Sequence, residues 1–225
     1  MKIGILQTGH APDEVREDMG DYDEMFEKLL AGHGLSFETY PVVDGVFPDS
    51  VEDCDGWLIT GSKHGAYEDH DWIPPLEEFI RDARDAHRPL VGICFGHQIV
   101  AQALGGKVEK VARGWSVGRT GYEIEGTPLM LNAWHQDQVT ELPREAEVIG
   151  HNDFCPYAAL RYGDDIWTVQ PHPEFTGDYV AQLVALRGRG LVPDAQLDRA
   201  LDETGNPTDN DKIADRIADF LKRGK

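Results

Sequence analysis

The chain passes from an apolar run into a helical pattern at Gly92-Ile93-Cys94-Phe95-Gly96-His97-Gln98. The apolar spacing predicts a buried strand over residues 89–93 and a helix over residues 95–104. In a Gly-x-Cys-x-Gly turn between a strand and a helix, the sulfur stands clear of the sheet because the two glycines leave room for it. The helix N-terminus stabilises a thiolate and offers free N–H groups to an anion. We therefore predict that Cys94 is a nucleophile.

A second informative segment lies far downstream, at Gln170-Pro171-His172-Pro173-Glu174, directly after the apolar residues 166–169. Each proline disfavours a helical conformation in the residue before it, so the segment is predicted to be extended. Side chains two positions apart in an extended chain share a face, so Glu174 can orient the imidazole of His172. A cysteine activated by a histidine that an acid holds in place is an arrangement for covalent acyl transfer.

Four segments of the chain carry a resemblance to a known family. They are Gly92-Ile93-Cys94-Phe95-Gly96-His97-Gln98, Gln170-Pro171-His172-Pro173-Glu174, the apolar run ending in Leu58-Ile59-Thr60-Gly61-Ser62, and Trp134-His135-Gln136-Asp137-Gln138-Val139. In their residues and in their order along the chain, these segments resemble the class I glutamine amidotransferase family over residues 1–175. The resemblance implies a catalytic triad in which Cys94 attacks the amide, His172 is the general base and acid, and Glu174 orients His172.

The same resemblance implies further residues of the site. It places the oxyanion hole at Gly61, Ser62 and the backbone N–H of Phe95. It places contacts to the substrate at Gln98, His135, Gln136 and Asp137. We expect no metal and no cofactor, because the histidines lack a ligand spacing such as H-E-x-x-H and the chain lacks the G-x-x-x-x-G-K-[ST] and G-x-G-x-x-G phosphate-binding motifs.

The remaining patterns predict an α/β fold. Apolar strands over residues 2–7, 35–40, 56–59 and 89–93 alternate with helices over residues 22–31, 72–86 and 95–104. Asp71 is the expected cap of the helix over residues 72–86. Such βαβ units predict an open, mostly parallel sheet with helices on both faces, and the resemblance implies the flavodoxin-like architecture of class I amidotransferases. Residues 107–170 are expected to add a small antiparallel β region.

One domain is expected over residues 1–225, because this length suits a single core. Within it we expect a core over residues 1–175 and a helical C-terminal extension over residues 176–225, with helices over residues 178–187 and 209–222. Cys54 and Cys155 do not lie in a Gly-x-Cys-x-Gly turn as Cys94 does, and we interpret both as structural thiols. Three cysteines without C-x-x-C spacing argue against a disulfide framework.

The charge of the chain bears on its partners. The formal net charge is −20, from 41 acidic and 21 basic residues. Nucleic acids and anionic membranes need clustered cations, so neither is an expected partner. Residues 2–7 predict a buried strand instead of a signal peptide, and no apolar run approaches the roughly 18 residues of a membrane span, so we expect a cytoplasmic location. Both a solvated acidic surface and salt adaptation would explain the acidic balance.

The implied function is hydrolysis of the γ-glutamyl amide of glutamine or a related small molecule through a cysteine thioester, with release of ammonia or an amine. Either the ammonia passes to a separate synthetase subunit, or the protein is a free-standing γ-glutamyl peptidase. A non-catalytic binding or regulatory relative is a third hypothesis, although such a protein would be expected to have lost a catalytic residue. An unrelated flavodoxin-like ligand-binding domain would need neither the cysteine turn nor the histidine segment.

Overall fold

The computed structural model of the protein describes residues 1–223. Within that range, eleven strands form one nine-stranded sheet and one two-stranded sheet. In chain order the strands are β1 (Lys2–Leu6), β2 (Ser36–Tyr40), β3 (Gly56–Ile59), β4 (Leu90–Ile93), β5 (Lys107–Lys110), β6 (Ser116–Ile124), β7 (Thr127–His135), β8 (Asp137–Glu141), β9 (Ala146–His151), β10 (Ala159–Tyr162) and β11 (Ile166–Val169).

The large sheet has a parallel half and an antiparallel half. Its strand order is β2-β1-β3-β4-β11-β10-β9-β6-β7, and the first five strands run parallel. β3, β4 and β11 are buried along their whole length, as expected for parallel strands that are covered on both faces. The antiparallel strands predicted within residues 107–170 are present. Four of them extend the main sheet, and only β5 and β8 pair separately.

The described residues also form seven α-helices. They are α1 (Asp13–Met19), α2 (Tyr22–Leu29), α3 (Ile73–Asp85), α4 (Phe95–Ala103), α5 (Gly177–Leu183), α6 (Asp194–Asp202) and α7 (Asn210–Lys222). A 3₁₀ turn occupies Val42–Asp44, and a π-helical turn at Val184–Gly188 directly follows α5.

Two apolar clusters cover opposite faces of the parallel half. In one cluster, Ile3 and Ile5 of β1 pack with Phe26 of α2 and Ile217 of α7. In the other, Leu6 of β1 packs with side chains of α3 and α4. Because alternate residues of a strand point to opposite faces, the two clusters confirm the predicted helices on both sides of the sheet. α1, α5 and α6 contribute to a third cluster.

The last helix, α7, is tied to both halves of the sheet. Ile213 and Leu221 of α7 belong to the same buried cluster as Ile3 in the parallel half. Just before the helix, Asp209 accepts a hydrogen bond from the backbone N–H of Met130 in β7 at 2.7 Å and donates its own N–H to the Met130 carbonyl at 2.7 Å. α7 therefore packs under the parallel strands while its start is fixed to the antiparallel strands.

Two helices were not predicted separately from the sequence. In α1 only Val15 is buried, and in α6 only Leu197 and Ala200 are buried. A short helix with so few apolar contacts lacks the repeated apolar spacing from which a helix is recognised. The helix predicted over residues 178–187 is present as α5 and the π-helical turn that follows it.

The prediction that Asp71 caps α3 is wrong. The N-cap position is Trp72, and no side chain makes a cap hydrogen bond there. A capping side chain accepts from the N–H groups of the second or third helical residue, but these positions are Pro74 and Pro75, which have none. The N–H of Ile73 is already bonded to the carbonyl of His70 at 3.0 Å. The start of α3 therefore leaves no donor for Asp71.

The close approach of α4 to β4 yields a stability prediction. A Cβ added at Gly92 would lie 2.6 Å from the carbonyl carbon and oxygen of Gly96. Gly92→Ala should therefore lower the free energy of unfolding by about 1–3 kcal/mol, because backbone atoms cannot yield as a flexible side chain would. Gly205→Ala is the control, since no described atom lies within 4 Å of its added Cβ. Urea unfolding measures both variants, and equal midpoints would contradict the prediction.

Candidate active site

The register of two parallel strands places the cysteine at the carboxyl edge of the sheet. Val169 at the end of β11 pairs with Ile93 at the end of β4, so Cys94 and Gln170 are the next residues on neighbouring strands. The N–H of Cys94 donates to the carbonyl of Val169 at 2.9 Å. Cys94 has φ 52° and ψ −101°, a backbone conformation that non-glycine residues rarely adopt and that is found at functional sites. The strand-to-helix turn therefore has the strained geometry of a nucleophile elbow.

His172 and Glu174 are in direct contact below the surface. Nδ1 of His172 lies 2.7 Å from Oε1 of Glu174, and the side chains are 5% and 1% exposed. The ring of His172 stacks on Phe175 with centroids 3.9 Å apart and planes within 2°. The N–H of His172 donates to the carbonyl of Asn132 in β7 at 2.8 Å. The imidazole is thus held by a carboxylate at its edge and an aromatic ring on its face. The backbone of His172 is held by the neighbouring strand β7.

The imidazole and the sulfur meet beside Gly61. A Cβ added at Gly61 would lie 2.8 Å from Cε1 of His172 and 3.7 Å from Cβ of Cys94. Burial lowers the pKa of His172, but the charges of a Cys94 thiolate and of Glu174, with hydrogen bonds to both, raise it above its ordinary value. The structure therefore brings together the three residues predicted as a triad, with the imidazole between the sulfur and the carboxylate.

Two buried threonines orient the peptide that follows β3. The hydroxyls of Thr8 and Thr60 each lie 3.1 Å from the carbonyl oxygen of Gly61, to which they donate. In a trans peptide the C=O and N–H bonds point in opposite directions, so the N–H of Ser62 is turned away from the two threonines. Ser62 lines the same cleft as Cys94. The fixed Gly61–Ser62 peptide is a preorganised donor of the kind that an oxyanion hole requires.

The N–H of Phe95 is a second available donor at this place. It belongs to the first residue of α4, where helix N–H groups have no partner within the helix. No hydrogen bond from it is found among residues 1–223. The predicted oxyanion donors thus lie on the loop after β3 and at the start of α4.

Gln170 contacts the sulfur, a role that is not predicted from the sequence. Its side-chain Nε2 donates to Sγ of Cys94 at 3.5 Å, and its Oε1 accepts from Nε2 of Gln98 at 3.0 Å. Nε2 of Gln98 also donates to the carbonyl of Asp137 at 2.9 Å. The available signal was the position of Gln170 directly after β11, next to the residue that follows β4.

The residues predicted to contact substrate all lie around one cleft. The cleft has a volume of about 230 Å³ and reaches Cys94 and His172. Gln98, His135, Gln136 and Asp137 line it. Because the amide nitrogen of Gln98 already binds protein atoms, its carbonyl oxygen is the group left to face a ligand. Burial, with the nearby charge of His172, lowers the pKa of His135 to about 4 against the opposing carbonyl of Asp137, so the His135 ring is neutral near pH 7.

His64, Glu68 and His70 lie together beside the cleft, a proximity that their sequence spacing did not predict. Their ligand-type atoms lie within 4.8 Å of one another, the one such group found among residues 1–223. Oε2 of Glu68 lies 2.8 Å from Nε2 of His70 and 3.3 Å from Nδ1 of His64. These contacts connect the cleft-lining residues His64 and Glu68 to His70, so the carboxylate already has two partners.

The chain is similar to several known proteins. The model of the family described as Glutamine amidotransferase class-I matches residues 19–182. Gamma-glutamyl peptidase 4 of Arabidopsis thaliana is 30% identical over 230 residues, covering 92% of this chain and 90% of that protein. The glutamine-hydrolyzing GMP synthase of Azoarcus sp. (strain BH72) is 38% identical over 139 residues, covering 54% of this chain and 26% of the synthase. The crystal structure of a glutamine amido transferase from Methylobacillus flagellatus has a TM-score of 0.76 at 22% identity, covering 100% of this chain and 92% of that one.

The chain belongs to the class I glutamine amidotransferase family. The family match spans most of its length, and the match to the Arabidopsis peptidase extends over nearly the whole of both proteins. The solved structure confirms the predicted flavodoxin-like architecture. The family and these relatives are hydrolytic enzymes. Among residues 1–223, every helix is too short or too polar to cross a membrane.

The charge coupling between Cys94 and His172 can be measured directly. In Cys94→Ser the pKa of His172 should fall, because the largest influence that raises it is removed while burial remains. A raised pKa stabilises the folded protein below the ordinary value of about 6.5, and this stability is lost as the pH rises through the raised value. Because the folded-state pKa is lower in Cys94→Ser, this loss should be smaller and should be complete at a lower pH. Imidazole NMR titration and urea unfolding against pH measure the two effects, with Cys54→Ser as control. An unchanged His172 titration would contradict the coupling.

The contact between Gln170 and the sulfur predicts a change in thiol reactivity. Gln170→Leu removes a hydrogen bond to the sulfur, and alkylation of Cys94 by iodoacetamide near pH 7 should slow about tenfold, because the thiolate loses a donor. Gln102→Leu is the matched control. Gln102 lies in α4, and its amide nitrogen donates to the Ala66 carbonyl and the Glu77 carboxylate instead of the sulfur. Equal alkylation rates in the two variants would contradict the assigned contact.

Proposed function

We propose that the protein is a cysteine-dependent hydrolase of γ-glutamyl amides. Cys94 is the nucleophile, His172 is the general base and acid, and Glu174 orients His172. One observation carries the proposal: Cys94 and His172 both lie against Gly61, and the imidazole of His172 is hydrogen-bonded at 2.7 Å to a buried carboxylate. A thiol next to a base that a third group holds in place is the arrangement that activates a sulfur for covalent catalysis.

The proposed reaction has two stages, formation and hydrolysis of a thioester. The Cys94 thiolate attacks the γ-carbonyl carbon, and the carbonyl oxygen becomes an oxyanion that the N–H groups of Ser62 and Phe95 stabilise. The C–N bond breaks, and His172 gives its proton to the leaving ammonia or amine. His172 then takes a proton from water as the water attacks the thioester. The C–S bond breaks, releasing the γ-carboxylate and regenerating the thiolate.

The backbone at Gly61 and Ser62 has a second part in this proposal. Loss of one oxyanion donor in other enzymes costs about 10² to 10³ in rate, so the orientation fixed by Thr8 and Thr60 contributes to turnover. We assign the γ-glutamyl head to the side of the cleft lined by Gln98 and His135 and its neighbours Gln136 and Asp137. Nδ1 of the neutral His135 ring lies 3.2 Å from the carbonyl oxygen of Asp137 and donates to it, so Nε2 can accept a hydrogen bond from a ligand.

A free-standing γ-glutamyl peptidase is the second candidate, and the comparisons favour it over a subunit that serves a synthetase. The match to the peptidase covers 92% of this chain and 90% of the peptidase, whereas the match to the GMP synthase covers only 26% of the synthase. Transfer of ammonia to a separate synthetase chain remains the alternative use of the same site. All three cysteines are buried free thiols, which is typical of proteins in a reducing compartment, and we propose the cytoplasm as the location.

Substitution of the three catalytic residues tests the mechanism. Cys94→Ser should abolish amide hydrolysis while the fold persists. His172→Ala should lower kcat by about 10² to 10⁴, and Glu174→Gln should lower it less, because the imidazole remains in place. Cys54→Ser is the control, since it changes a buried thiol away from the cleft. Release of ammonia or amine from glutamine and γ-glutamyl peptides measures turnover, and circular dichroism checks the fold. Full turnover by Cys94→Ser would overturn the proposal.

A chemical trap separates the enzyme from a binding relative. A chloroketone that mimics glutamine should label Cys94 one to one in the folded wild-type protein and leave Cys54 and Cys155 unmodified. Mass spectrometry of the digested protein locates the label. Folded protein that takes up no label would favour a non-catalytic binding or regulatory protein. Rapid release from a peptide but not from glutamine would favour the peptidase over the synthetase subunit.

A further inference from the structure

A half-buried arginine lies where the regular helix after the catalytic segment gives way to a π-helical turn. α5 ends at Leu183, and Val184–Gly188 continues as the π-helical turn, in which Arg187 is half-buried. π-Helical turns are uncommon and occur frequently at functional sites. Arg187 lines the same cleft as Cys94. The turn therefore places a guanidinium in the wall of the proposed active site.

The cleft gathers cations that have no carboxylate partner. Lys63, Lys110 and Arg187 line it, and none of them forms an ion pair with a carboxylate among residues 1–223. Two carboxylates also line the cleft, so the cations outnumber them. Glu68 contacts two imidazoles, and Asp137 accepts a hydrogen bond from the hydroxyl of Tyr67 at 3.0 Å. In a chain with 41 acidic against 21 basic residues, unpaired cations around one cleft attract an anionic ligand.

Beside Arg187 the wall of the cleft is apolar. The rings of Trp115 and Trp134 lie with centroids 6.4 Å apart, and Leu183 and Leu191 line the same space. Leu191 is 68% exposed, the highest fraction among the exposed large apolar side chains of the described residues. Exposed apolar surface next to a site is characteristic of ligand contacts. Ammonia would use neither this apolar wall nor the guanidinium.

We propose that Arg187 and this apolar wall form a subsite for the leaving amine, and that the preferred leaving group is an apolar amino acid or peptide with a free carboxylate. The inference rests on the proposed hydrolysis of γ-glutamyl amides. The guanidinium of Arg187 binds the carboxylate with two parallel hydrogen bonds, and Trp115, Trp134 and Leu191 contact the apolar side chain. Lys110 and Lys63 add positive potential. γ-Glutamyl compounds of cationic amines are disfavoured by the same charges.

A matched pair of substrates tests the carboxylate preference. γ-Glutamyl-phenylalanine and γ-glutamyl-phenethylamide share the scissile amide and the aromatic ring, and only the first has a carboxylate on the leaving group. Wild-type kcat/KM should favour the first by about 10- to 100-fold, as expected for a charged hydrogen-bonded pair. Arg187→Gln should reduce this ratio at least tenfold, mainly through KM, and Arg187→Lys should restore part of it.

Arg144→Gln is the matched control, because Arg144 is an exposed cation outside the cleft. It should leave the substrate ratio unchanged. A wild-type ratio near one, or a ratio that persists in Arg187→Gln, would overturn the subsite while leaving γ-glutamyl hydrolysis intact. Lys110→Gln should lower the ratio as well, which keeps the test valid if Arg187→Gln fails to fold.

Binding measured without turnover separates the subsite from the chemistry. Cys94→Ala should bind γ-glutamyl-phenylalanine at least tenfold more tightly than the phenethylamide in titration calorimetry, and Cys94→Ala with Arg187→Gln should lose the difference. If the wild-type protein cleaves neither compound but Cys94→Ala shows the preference, the hydrolytic function fails and the anion subsite stands. Equal affinities in Cys94→Ala would overturn the subsite.

Discussion

The parallel pairing of β4 with β11 is the constraint on which the site depends. Because Ile93 and Val169 are register partners, the chain leaves the sheet at Cys94 on one strand and at Gln170 on the next. His172 is two residues further along an extended segment, too short a distance for it to leave the neighbourhood of the sulfur. A shift of one residue in this register would turn the side chains to the opposite face and separate the two groups.

Burial strengthens the interactions between the charged groups of the site and requires partners that hold these groups in place. Cys94, His172 and Glu174 are each less than 10% exposed, so their charges act on one another with little screening by water. Such groups are costly to bury unless they have partners. Gln170 donates to the sulfur, Glu174 contacts the imidazole, and Phe175 stacks on the face of that ring. Oε2 of Glu174 has no hydrogen-bond partner among the described residues, so the carboxylate directs its hydrogen bonding to the imidazole.

The sequence predicts the elements whose signals are local. The Gly-x-Cys-x-Gly turn, the Pro-flanked histidine and the buried parallel strands each have a signature within a few residues, and the architecture follows from them. Contacts across the sheet have no such signature. The bond from Gln98 to Gln170 joins residues 72 positions apart, and the threonine pair around Gly61 joins β1 to β3. The cap of α3 shows a different difficulty: Asp71 has a suitable side chain, but the prolines that follow remove the donors it would need.

The packing of α7 has a consequence for the order of events during synthesis. This helix covers one face of the parallel strands and fixes β7 through Asp209, and β7 in turn holds the backbone of His172 through Asn132. Every residue of the proposed triad leaves the ribosome before α7 does. Until the helix emerges, an apolar surface of the nascent sheet stays open to water, and the strand that supports His172 lacks its anchor. The thiol is therefore expected to become reactive only after α7 has emerged from the ribosome.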